Sequence, residues 1–92
     1  MSGISVKEKI KAGARIVDVR TPGEFAEESY PGAKNIPLAA LAARMGELEP
    51  KDKPVLLYCA SGARSAQGAR ILAAAGFTDV VNAGGLEDMP RL

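Results

Sequence analysis

Cys59 is the only cysteine in the 92-residue chain, and it directly follows the apolar run Val55-Leu56-Leu57-Tyr58. After it come small residues and one cation, Cys59-Ala60-Ser61-Gly62-Ala63-Arg64-Ser65, leading into an Ala-rich stretch. A thiol between the end of a strand and the start of a helix meets loop amides and the positive end of a helix dipole, which favour its anion. Gly62 lets the segment curl tightly around the sulfur. Arg64 adds a permanent charge and a planar fork of donors suited to an oxyanion. The combination predicts a nucleophilic thiolate in an anion cradle, activated without a histidine base. The bland alternative makes Cys59 a small buried hydrophobe and Arg64 a solvated residue at a helix start. A cation near a helix N-terminus is unfavourable by roughly a few tenths of a kcal/mol unless an anion binds there, so Arg64 favours the chemical reading.

Composition removes the main competitors. The chain has no His, which excludes a Cys–His pair, a Ser–His triad and a His-ligated metal within it. One Cys excludes an internal disulfide and every multi-Cys metal site. A net charge of +1 gives no reason to expect nucleic acid or a membrane surface as partner. No segment approaches the ~20 apolar residues of a membrane span. Met1 to Ala12 carries Lys7, Lys9 and Lys11 without an apolar run behind them, so no targeting segment is expected. A lone Cys without a disulfide fits the cytoplasm. The apolar and charged fractions, 47% and 25%, are those of a globular protein, expected as one domain over 1–92 and as a monomer.

Placing the thiol requires strands alternating with helices. Ser5 with Glu8 fits a capping box, Val6 and Ile10 share a helical face, and Gly13 suits the helix stop. Arg15 to Val19 is a β-branched run, expected as a buried strand. Thr21 caps a second short helix, with Pro22 in its first position and Glu24 reaching back. Tyr30-Pro31-Gly32 is a turn, and Ala33 to Ile36 is extended because Pro37 disfavours helix before it. Leu38, Leu41, Ala42, Met45 and Leu48 predict one amphipathic helix over 38–48. Val55 to Tyr58 is a central strand, residues 65–75 a helix stopped by Gly76, and Val80-Val81 a last strand. Asn82-Ala83-Gly84-Gly85 reads as a turn before a short polar tail. The pattern is α/β with a parallel sheet and helices on both faces, whose ligands bind beyond the carboxyl ends of the strands.

These residues resemble a known family. Asp18-Val19-Arg20, Glu24-Phe25, Pro31-Gly32-Ala33 and Asn35-Ile36-Pro37 are similar to the first signature of single-domain rhodaneses. Tyr58-Cys59 through Arg64-Ser65 resembles their active-site loop, and Gly76-Phe77, Val80, Asn82 and Gly84-Gly85 their C-terminal signature. The Asn82-to-Leu86 run, Asp88 and the Met89-Pro90 ending are similar to the phage shock protein E type. Three departures stand out. Glu28-Ser29-Tyr30 replaces the common Gly-His-Ile, the usual Trp after the glycine pair is missing, and the chain stops early. Tyr30 is expected to pack its ring and reach water with its hydroxyl.

The resemblance implies a rhodanese-like domain with a sheet of about five parallel strands, thiosulfate sulfurtransferase chemistry that requires no metal and no cofactor, and, from the subgroup, the periplasm if a leader has been removed. Cys59 would accept the sulfur, and the amides of Ala60, Ser61, Gly62, Ala63, Arg64 and Ser65 would hold the persulfide and departing sulfite. The Arg64 side chain would assist with the anion. Asp18, Arg20 and Glu24 would be scaffold, with Arg20 and Glu24 pairing beside the site. The partners implied are thiosulfate and a thiophile: cyanide in the test tube, a cellular thiol or a protein thiol otherwise. One alternative is a non-catalytic rhodanese-like module or sulfur carrier, against which intact Cys59, Gly62 and Arg64 argue. A Cys-based phosphatase or arsenate reductase is the other. Those loops place Arg six positions after the Cys, where this chain has Ser65.

Overall fold

The computed structural model describes residues 3–91, in which helices and strands alternate around one parallel sheet. The helices are α1 (Gly3–Lys11), α2 (Pro22–Glu27), α3 (Leu38–Arg44) and α4 (Ala63–Ala74). The strands are β1 (Arg15–Asp18), β2 (Lys34–Asn35), β3 (Val55–Cys59) and β4 (Val80–Gly85). Short 3-10 turns follow α3 and β4, over Met45–Leu48 and Leu86–Asp88. Among the described residues no helix is long and apolar enough to cross a membrane.

The sheet has the order β2-β1-β3-β4, with every pairing parallel. Among the described residues it has four strands, where the resemblance implies about five. The extended runs read from the sequence itself number four, and residues 3–11 ahead of the first are helical. From β1 the chain moves outward to β2, and from β3 it moves the opposite way to β4. The carboxyl ends of β1 and β3 therefore flank a crevice where the winding direction reverses, the usual ligand position in open α/β sheets. Cys59 ends β3, and Asp18 ends β1.

Strand alternation divides the core in two. Val17, Val19, Val55, Leu57 and Cys59 face α3 and α4, where they meet Leu41, Leu48 and Leu72. Ile16, Leu56 and Tyr58 face the other way, toward Val6, Tyr30 and Met89. All five residues of β3 are buried, so this strand is anchored on both faces and fixes where Cys59 emerges. Leu57 and Leu72 are fully buried, and truncating either to Ala would cost about 2–5 kcal/mol.

Several boundaries move from their expected places. α1 begins at Gly3, so Ser5 stands inside its first turn and does not precede it. The Ser5 side chain lies outside the described part. The helix expected over 38–48 tightens into 3-10 geometry at Met45, where Gly46 is a poor helix former, yet Leu41 and Leu48 still reach the same core. α4 starts at Ala63, two residues before the expected start at Ser65. Asn82 to Gly85 continues β4 in place of the expected turn, and the register changes from Leu57 opposite Asn82 to Tyr58 opposite Gly84. That one-residue bulge lets the strand follow β3 as far as Cys59, and bulges of this kind commonly sit beside active sites.

Candidate active site

Cys59 lies at the base of a tight loop, 1% exposed, with Ala60, Ser61 and Ala63 exposed around it. The loop turns at Gly62, whose φ of 98° lies in the left-handed region that side chains disfavour. There the Gly62 amide donates to Cys59 Sγ at 3.0 Å, and the Ser65 amide in the first turn of α4 donates at 3.4 Å. The Ser65 hydroxyl lies 3.5 Å from the same sulfur. Burial pushes the thiol up, but the Ser65 hydroxyl and the amides of Ser65, Ser61 and Gly62 outweigh it and bring the thiol down to about 7. The sulfur is thus largely an anion slightly above neutral pH, without a histidine.

Of the six loop amides named from the sequence, those of Gly62, Ser65 and Ser61 bear on the sulfur. The Ala60, Ala63 and Arg64 amides make no hydrogen bond to it in this geometry. The loop is closed from the side by β4. A Cβ at Gly85 would collide with the Ala60 carbonyl oxygen, so the loop can approach the strand this closely only because residue 85 lacks a side chain. Asn82, read from the sequence as part of a turn, reaches the loop from β4. Its Nδ2 donates to the Gly62 carbonyl at 3.2 Å, and its Oδ1 accepts from the Gly84 amide at 3.0 Å and from the Ser65 hydroxyl at 2.6 Å. The signal for this residue was the Asn ahead of two glycines, which resembles a turn as readily as a bulged strand.

The Arg64 side chain points toward α2. Its Nη1 and Nη2 donate to the two oxygens of Glu24 at 2.8 and 3.0 Å. Glu24 is also the third residue of α2, where its Oε1 accepts from the Thr21 amide at 3.0 Å and its own amide donates to Thr21 Oγ1. Arg64 and the Thr21 amide together hold the Glu24 carboxyl near 2. Arg64 and Gln67 border a groove of about 420 Å³ floored by Val19, Pro37, Leu38 and Ile71.

The expected Arg20–Glu24 pair does not form. Arg20 turns onto the Tyr58 face of the sheet, where the fully buried Asp18 carboxylate requires a cation. Arg20 Nη2 meets Asp18 Oδ2 at 2.7 Å and the Glu28 carbonyl at 2.6 Å, and the guanidinium lies 5.6 Å from the Tyr58 ring centroid. Tyr30 also departs from expectation. Its ring packs edge-on against Tyr58, and its hydroxyl donates to the Pro90 carbonyl instead of water, tying the chain's end to the core.

The rhodanese-like domain family model matches residues 4–89. The chain is 42% identical over 79 residues to the thiosulfate sulfurtransferase PspE of Escherichia coli, covering 83% of this chain and 76% of that protein. It is equally identical over 79 residues to YqhL of Bacillus subtilis, spanning 83% of this chain but only 62% of that protein. A solved rhodanese from Escherichia coli with bound anions superimposes with a TM-score of 0.79 at 40% identity, covering 87% of this chain and 98% of that one. A match over nearly the whole chain, on the same strand–loop–helix frame that holds Cys59, places this protein in the rhodanese-like domain family.

Proposed function

We propose that the chain is a thiosulfate sulfurtransferase working through a persulfide on Cys59. The observation that carries this reading is the convergence of the Gly62 and Ser65 amides on a buried sulfur, whose thiol they help lower to about 7. The Cys59 thiolate attacks the outer sulfur of thiosulfate, forming the Cys59 S–S bond and breaking the S–S bond of the donor. Sulfite leaves with the electron pair. Total charge is conserved, since thiolate plus thiosulfate dianion becomes persulfide anion plus sulfite dianion. A thiophile then attacks the outer sulfur of the persulfide and regenerates the thiolate, with cyanide giving thiocyanate and a thiolate giving its own persulfide.

The loop amides are fixed before reaction, so charge shifting from Sγ to the outer sulfur meets donors that need no reorganisation. PspE supports the choice of thiosulfate as donor by its name and its likeness over most of this chain. The phosphatase alternative fits less well, because Arg64 stands five positions after Cys59 and spends its fork on Glu24. The test is steady-state turnover with thiosulfate and cyanide varied together. Parallel double-reciprocal lines, the mark of a covalent intermediate, are expected. Absent thiocyanate formation with a reactive, folded Cys59 overturns the reading.

A further inference from the structure

We propose that Glu24 is a specificity-determining residue: by occupying the fork of Arg64 it cancels the one guanidinium charge carried by the segment that wraps Cys59, Ala60 to Ser65, and weakens the site's hold on strongly anionic ligands. The proposal rests on the sulfurtransferase reading for its substrates, but its electrostatic core is independent of them.

Glu24 is not a loose surface partner. Its Oε1 accepts from the Thr21 amide, the Thr21 hydroxyl and Arg64 Nη1, at 3.0, 3.1 and 2.8 Å. The start of α2 therefore positions the carboxylate, and Arg64 docks onto it through two bonds. The nearby Arg20 is cancelled in the same way by Asp18. Arg20 and Arg64 are thus each matched by a carboxylate. Arg64 retains three unspent N–H donors, because the pair uses two of five. It can still orient an oxygen of a ligand, but without a net charge to hold it. For thiosulfate this lowers affinity. For sulfite, the dianion that must leave, it shortens the stay. A site with Arg64 uncancelled would bind both more tightly and release product more slowly.

Glu24→Gln separates this role from helix capping, since a Gln in this position serves a capping box as Glu does. The probe is the alkylation rate of Cys59 by iodoacetate relative to iodoacetamide. The neutral reagent reports thiolate content and access, and the ratio reports local charge. The ratio should rise by roughly 2- to 5-fold in Glu24→Gln, the upper part of the range for ion pairs open to solvent. It should fall below the unaltered value in Arg64→Gln and return near it in the double variant. These differences should shrink at ~1 M salt, where the screening length is about 3 Å. In Glu24→Gln the KM for thiosulfate and the inhibition constant for sulfite should fall by a similar factor. An unchanged ratio in Glu24→Gln, or in Arg64→Gln if the first variant does not fold, overturns the proposal. Loss of thiosulfate turnover in the unaltered protein instead counts against the sulfurtransferase reading, and the alkylation ratio still decides the role of Glu24.

Discussion

The Ser65 hydroxyl oxygen stands 2.6 Å from Asn82 Oδ1 and 3.5 Å from Cys59 Sγ, with a single proton to serve both. The Asn82 amide is oriented by its neighbours, because the Gly84 amide can donate only to Oδ1 and the Gly62 carbonyl can accept only from Nδ2. While Cys59 is a thiol, the Ser65 hydroxyl can donate to Asn82 Oδ1 or to the Gly62 carbonyl at 3.1 Å, and the S–H can donate to the hydroxyl. Once Cys59 ionises, the hydroxyl can turn its proton to the sulfur, and Asn82 Oδ1 keeps the Gly84 amide as a donor.

Ser65→Ala should therefore raise the Cys59 pKa while leaving the fold intact. The residue 65 amide remains, so a partial rise from about 7 is expected, not a return to an ordinary buried thiol. Iodoacetamide alkylation followed against pH checks this. In the unaltered protein the thiolate fraction, and with it the rate, rises through about pH 7 because the thiol is lowered. The inflection in Ser65→Ala should lie higher, and an unmoved inflection would mean the amides alone hold the anion.

Gly85→Ala should disturb the site more than the fold. The added Cβ drives into the Ala60 carbonyl, so the loop must retreat from β4 and carry its amides off the sulfur. Misplacing reacting atoms by about 1 Å can cost ~100-fold, so kcat/KM for thiosulfate should drop by one to two orders of magnitude. The thermal midpoint should fall only modestly.

Asp18→Ala should act on stability. It leaves the 6%-exposed Arg20 without its carboxylate, and breaking a buried pair in this way costs about 3–5 kcal/mol. Urea unfolding should show the midpoint reduced accordingly. Cys59 alkylation in the fraction that remains folded should keep its pH profile, because Asp18 faces the Tyr58 side of the sheet and Cys59 the other.

Much of this frame was legible because it rests on local rules. Thr21, Pro22 and Glu24 announce the start of α2, and the unbroken apolar run of β3 announces a buried strand with Cys59 at its end. What escaped depends on tertiary contact. A four-residue spacing suggests Arg20 with Glu24 on a helix, but Arg20 precedes the helix and answers the buried Asp18 instead. Asn82-Ala83-Gly84-Gly85 carries every local mark of a turn. It becomes a bulged strand because β3 offers it a ladder as far as Cys59, and because the loop leaves no room for a side chain at Gly85. The contact between Asn82 and the loop followed from that unseen extension. The fifth strand was implied by likeness alone and has no counterpart among the described residues.

Cys59→Ser should abolish thiosulfate:cyanide turnover with little change in melting temperature. The hydroxyl is close to the thiol in shape, but its pKa lies far beyond what these donors can lower. Retained turnover would remove Cys59 from the mechanism.

The most direct measurement is intact-protein mass spectrometry after incubation with thiosulfate and removal of excess donor. The account predicts a gain of one sulfur atom, located on the peptide containing Cys59, lost on adding cyanide with thiocyanate formed in equal amount, and absent in Cys59→Ser. A protein that keeps its original mass under conditions where Cys59 is alkylated readily, or a gain that persists in Cys59→Ser, would contradict it.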